Sequence, residues 1–107
     1  MSEKRLRQIE ERVERIKAEL VELPPVLRPG SLTRQYANPT EKKGAYWQVS
    51  YTRRMKSQTE YVKLECVSSV RNQIAAYKKF RKLMDEWVEL GLEASRLMMK
   101  CEERESG

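Results

Sequence analysis

The sequence predicts an α+β fold, mostly α: an N-terminal helix, an irregular connector, a β-hairpin and one long C-terminal helix, the helices packing as a coiled-coil-like bundle. Three observations carry that expectation. Apolar residues recur at steps of three and four near both ends, the spacing of a helix seam. In the middle the period drops to two, with aromatic and β-branched residues in excess, as in a half-buried ribbon. Between the first helical stretch and that ribbon lies a run rich in Pro, Gly, Ser, Asn and Lys. The 107 residues are expected to form a single domain, divided as helix 1–23, connector 24–45, hairpin 46–64 and long helix 65–104.

Leu6, Ile9, Val13, Ile16, Leu20 and Leu23 make the seam of the first helix, with Ser2 as its N-cap. Pro24-Pro25 ends it, because proline removes a backbone donor and biases its predecessor away from helical geometry. The connector leaves room for a short strand near Leu32 to Tyr36. A turn at Met55-Lys56 would set Val49 opposite Val62 and Trp47 opposite Leu64. Tyr46, Gln48, Ser50, Thr52 and Arg54 would then share the other face with Ser57, Thr59, Tyr61 and Lys63. That turn lacks the favoured Asn-Gly or Asp-Gly pair.

On the long helix Val70, Tyr77, Met84, Gly91 and Met98 form one row; Phe80, Trp87, Ala94 and Cys101 a second; Leu83, Leu90 and Leu97 a third. Opposite this wide apolar face lie Lys78, Lys79, Arg81 and Lys82, followed by Asp85, Glu86, Glu89 and Glu93. A helix of about 40 residues is roughly 60 Å long and the first helix only about half that. The uncovered half is expected to pair with a second copy of the chain, through Leu83, Met84, Trp87, Leu90, Gly91, Leu97 and Met98.

Charge is segregated. Residues 28–82 carry 13 Lys or Arg against three Glu, a local net of +10, within a chain whose net charge is +6. Fixed positive charge attracts polyanions by counterion release, so the middle is expected to contact nucleic acid, DNA rather than RNA. The candidate contacts are Lys42, Lys43, Gln48, Arg53, Arg54, Lys56, Gln58, Thr59, Lys63, Lys78, Lys79 and Lys82. A β-ribbon fits the major groove, where Arg grips guanine and Gln reads adenine while Ser, Thr and Lys hold phosphates.

The composition argues against catalysis. With no histidine, the usual general base, zinc ligand and nucleophile activator are missing. Asp85 and Glu89, four apart on a helix, read as solvated exterior rather than as a metal site for a nuclease. Cys66 and Cys101 have no partner at zinc-ligand spacing and read as inert, buried or semi-buried thiols. No metal or cofactor is expected. With no signal peptide and no long apolar run, the chain reads as cytoplasmic with reduced thiols and no membrane contact.

Arg28-Pro29-Gly30-Ser31-Leu32-Thr33-Arg34-Gln35-Tyr36, then Gly44-Ala45-Tyr46-Trp47-Gln48-Val49-Ser50-Tyr51, Glu60-Tyr61-Val62 and Ile74-Ala75-Ala76-Tyr77-Lys78-Lys79-Phe80 together resemble a family of small uncharacterised prokaryotic proteins often associated with transposable elements. The resemblance spans nearly the whole chain and implies a mobile-element context. In that family the connector usually carries a cysteine cluster that looks zinc-binding; here Ala37 to Lys43 contain no cysteine, so a metal site is not carried over. A second likeness is to the arm-binding domains of phage integrases, in which a sheet followed by a helix docks on DNA; the catalytic half of such recombinases has no counterpart here. The expected function is therefore a non-enzymatic DNA-binding accessory protein, with a protein adaptor or inhibitor that engages an acidic or nucleic-acid-binding partner as the alternative.

Overall fold

The computed structural model describes residues 2–106. In chain order it contains α1 (Ser2–Val21), β1 (Ser31–Asn38), β2 (Lys43–Arg53), β3 (Lys56–Val62), a 3-10 turn (Leu64–Cys66) and α2 (Val67–Ser106). The expected α+β architecture is present. The chain folds as two compact units, Met1–Leu23 with Phe80–Gly107, and Pro24–Lys79. The long helix contributes to both.

In the helical unit, α1 uses the predicted seam: Ile9 and Ile16 are buried, with Leu6, Val13 and Leu20 partly covered beside them. Arg5 pairs with Glu93 and Arg12 with Glu86, so a step of seven forward on α1 matches a step of seven backward on α2. The two helices therefore run antiparallel. Lys17 Nζ lies 5.7 Å from the centre of the Trp87 ring. After Val21 the Glu22 and Leu23 amides bond to carbonyls three residues back, tightening the end of the helix before Pro24-Pro25.

Two expectations change here. Glu86 and Glu93 are half-buried partners of α1 rather than solvated exterior; they flank the apolar rows closely enough for an arginine on the neighbouring helix to reach them. The long helix is also covered differently from the way supposed, since α1 lies on its second part and not its first. Its first part, Val67 and Ile74 with Val70, forms a core with Val49, Val62, Leu32 and Trp47 of the sheet, so one helix serves two cores in succession.

In the second unit β1, β2 and β3 form an antiparallel sheet in that order. β1, which lies in the expected connector, pairs along its length with β2, Leu32 opposite Val49 and Arg34 opposite Trp47. Its turn begins at Asn38, whose side-chain oxygen accepts the Glu41 amide at 3.2 Å, an Asx-type turn closed by Lys42 at φ 54° and Gly44 at φ 68°.

The β2–β3 turn falls at Arg54-Met55, one residue earlier than expected, and Trp47, not Val49, faces Val62. Both turn residues have positive φ, 53° and 66°, as a two-residue type I′ hairpin requires. The register differs from the expected one by two residues, so each side chain keeps its face. Gly30 is conformationally necessary: at φ 139° a Cβ would sit 2.8 Å from Val49 Cγ2 and 3.1 Å from the Ser50 carbonyl oxygen.

Candidate nucleic-acid interface

Alternation along three paired strands divides the sheet into two chemically distinct faces. Val49 and Val62 point into the core with α2. The opposite face presents Thr33 and Gln35 from β1, Tyr46, Gln48, Ser50 and Thr52 from β2, and Ser57, Thr59 and Tyr61 from β3. Every one of these is an uncharged donor or acceptor, and all are exposed or half-exposed. A sheet with one face on a core and the other in water is a common antiparallel arrangement. What sets this face apart is that, Ala37 at its edge aside, its paired strand positions hold neither a charge nor an aliphatic side chain.

Contacts within the face hold several of these groups. The Gln35 side-chain amide donates to Thr33 Oγ1 at 3.3 Å, and the Ser50 and Thr59 hydroxyls lie 3.4 Å apart. Tyr46 and Tyr61 form a tilted pair with ring centres 6.5 Å apart, a cross-strand aromatic contact that steadies the ribbon. Gln48 sits at the middle of the central strand, between Thr33 and Tyr61.

The cations gather at the two ends of β2. Arg53, Arg54 and Lys56, with Tyr51 and Gln58, line a shallow depression at one end; Lys42 and Lys43 lie at the turn from β1. Eleven strand residues place these ends roughly 33 Å apart. Lys43 approaches Glu41 at 3.6 Å, whereas Arg53, Arg54, Lys56 and Lys42 have no carboxylate within ion-pair distance among the described residues. The sheet unit as a whole, Pro24–Lys79, carries eleven Lys or Arg against three Glu, a net of +8.

The other candidate contacts separate. Thr59 shares the face of Gln48, but Gln58, opposite Tyr51, points the other way, and by the same alternation so do Arg53, Lys56 and Lys43. Lys63 is exposed just past β3, and Lys79 is exposed on α2. Lys78 lines a groove with Arg71, Gly30, Ser31, Leu32 and Ile74. Lys82 belongs to the helical unit, where its charge helps hold the Glu86 carboxyl low. Of the proposed dimer contacts, Leu83 is only 5% exposed within the single chain; Met84, Trp87, Leu90 and Leu97 are half-buried, and Gly91 and Met98 are exposed. Cys66 is exposed rather than buried and Cys101 half-buried, both as free thiols.

A cluster the sequence did not disclose braces the sheet behind this face. Arg28 Nη2 lies 2.7 Å from Glu60 Oε2, and its guanidinium carbon is 5.3 Å from the centre of the Tyr51 ring. The Tyr51 hydroxyl donates to Glu60 Oε1 at 2.8 Å, and the Arg28 amide donates to the Gln73 carbonyl. Hydrogen bonds from Arg28 and then Tyr51 hold the Glu60 carboxyl below the usual carboxylate range, and the same Tyr51 bond pushes its phenol up. Connector, central strand, edge strand and helix meet there. Arg71 lies similarly against Trp47, at 5.7 Å.

Among the described residues no three carboxylates or thiols gather at a metal-binding spacing, and no helix is long and apolar enough to cross a membrane. Compared with known protein families, curated proteins and solved structures, the chain matches none.

Proposed function

We propose that this chain is a non-enzymatic accessory protein that binds duplex DNA through the open face of its sheet, in the setting of a mobile genetic element. One observation carries the reading: a neutral field of Gln, Ser, Thr and Tyr lies between two cationic ends of the sheet, Arg53, Arg54 and Lys56 at one, where no carboxylate lies within ion-pair distance among the described residues, and Lys42 and Lys43 at the other. Base edges are read by neutral donors and acceptors, and phosphates are held by cations. The face supplies the first and its two ends the second. Three strands at about 4.8 Å spacing span roughly 10 Å between the outer backbones, close to the ~12 Å width of the major groove. Gln48, at the centre, is the residue best placed to pair with adenine.

Binding to duplex DNA should fall steeply with salt. Replacing Arg53, Arg54 and Lys56 together with Ser should flatten the slope by about three phosphate contacts. Absence of binding to any duplex at low salt would overturn the proposal.

The adaptor or inhibitor reading draws support from a different feature, the exposed apolar residues Val88, Leu92 and Met99 of α2, which suit a protein surface better than DNA. Co-purification with and without nuclease separates the two: partners released by nuclease travel with DNA, and partners retained do not.

A further inference from the structure

We infer that α2 pairs with α2 of a second copy, antiparallel, across a face that α1 leaves open. The pairing stands apart from the nucleic-acid reading and is tested without DNA. Val88 is 56% exposed, Leu92 47%, Met98 49% and Met99 53%. Val88, Leu92, Ser95 and Met99 follow one another at steps of four, three and four, a helix-packing seam of its own. It lies to one side of Leu83, which is buried within the chain, so the two seams do not compete.

Three features select a second copy as the occupant. Gly91 stands beside the seam, and a Cβ built there meets nothing within 4 Å. A glycine inside a helix costs about 1 kcal/mol relative to alanine, and nothing among the described residues uses the room it leaves. Asp85 and Arg96 are eleven residues apart, close to three turns, so they share one flank of the helix. Asp85 precedes Val88 by three and Arg96 follows Leu92 by four, which sets both at the border of the seam. Neither has an ion-pair partner among the described residues.

The midpoint of Asp85 and Arg96 falls between Leu90 and Gly91. An antiparallel twofold through that point sets each Asp85 against the other copy's Arg96, twice over, while the two Gly91 backbones approach near the axis. The same operation lays Val88 and Leu92 of one copy along the corresponding seam of the other. A surface that complements itself in charge and in shape about one axis is what a closed twofold dimer requires.

Light scattering of the full chain at tens of micromolar should report twice the 12.7 kDa chain mass. Leu92→Glu, at an exposed position, should return the chain mass with unchanged far-ultraviolet circular dichroism. D85R and R96D, each alone, should weaken pairing by at least about tenfold, because like charges then meet at both contacts. An equimolar mixture of the two should regain native affinity as a heterodimer, an all-basic flank meeting an all-acidic one. A monomeric native chain, single variants that pair as the native chain does, or a mixture that stays dissociated would each overturn the inference.

Discussion

Arg12 grips Glu86 with two guanidinium nitrogens, Nη2 reaching Oε1 at 2.8 Å, and seven residues away Arg5 holds Glu93 in the same bidentate manner, Nη2 to Oε1 at 2.9 Å. The repeat locks the sliding register of α1 on α2. Parallel forks from one arginine also demand a planar approach that lysine cannot supply.

These pairs predict acid lability. Hydrogen bonds from the arginines hold both carboxyls below their ordinary range, against a desolvation effect that raises them; Glu60 is lowered in the same way by Arg28 and Tyr51. A carboxyl with a depressed folded-state pKa contributes stability above its unfolded pKa and loses it as pH falls toward the folded value. The melting temperature should therefore be nearly flat above about pH 6 and decline below about pH 5. E86Q and E93Q together should lower it at neutral pH and shallow the acid decline, with added salt shrinking the difference because the pairs are partly exposed.

Gly30→Ala should destabilise the protein by about 2–3 kcal/mol, since the new methyl both requires an unfavourable φ and meets Val49 and a backbone carbonyl. Urea titration measures it. The sheet unit is the part expected to loosen, seen as faster amide exchange at Val49 and Val62.

Met55→Gly should stabilise by about 1 kcal/mol, because a left-handed residue with a side chain is relieved while almost no packing is lost. Met55 is 97% exposed, so a lower midpoint in urea would show that its side chain has a contact in solution. Arg54, which supplies charge at the same turn, stays in place, and the salt dependence of DNA binding should be unchanged.

Gln48→Ala should weaken binding to a preferred duplex by about 1–3 kcal/mol, relax discrimination at one base pair and leave the salt slope alone. Arg53→Ser should do the reverse, weakening all duplexes alike and lowering the slope by about one. Selection from a random duplex library, followed by titration at several salt concentrations, distinguishes the two effects.

Zinc should be absent from the purified protein in stoichiometric amount, and a chelator should leave its melting temperature where it was. The chemical basis is the donor set itself, two cysteines and no histidine, against the four ligands a structural zinc site requires.

Local pattern decided much of this protein. The 3-4 spacing from Leu6 to Leu23 specifies α1 and its buried side, Pro24-Pro25 ends it, and the period of two through Tyr46 to Val62 specifies strands whose faces survive a register shift of two. The polar composition of the outer face follows from the same alternation, whereas Arg54 and Lys63, which the alternation also put there, fall in the turn and just past β3. Tertiary structure decided the rest. The short strand expected near Leu32 to Tyr36 runs from Ser31 to Asn38, because β2 offered an edge along which the pairing could extend. The hairpin closed at Arg54-Met55 because pairing along β2 and β3 outweighed the cost of two left-handed residues. Glu86 and Glu93 look like solvated exterior on an isolated helix; whether a carboxylate faces water or an arginine depends on where the neighbouring helix lies, and that is settled by packing between residues more than seventy positions apart in the chain.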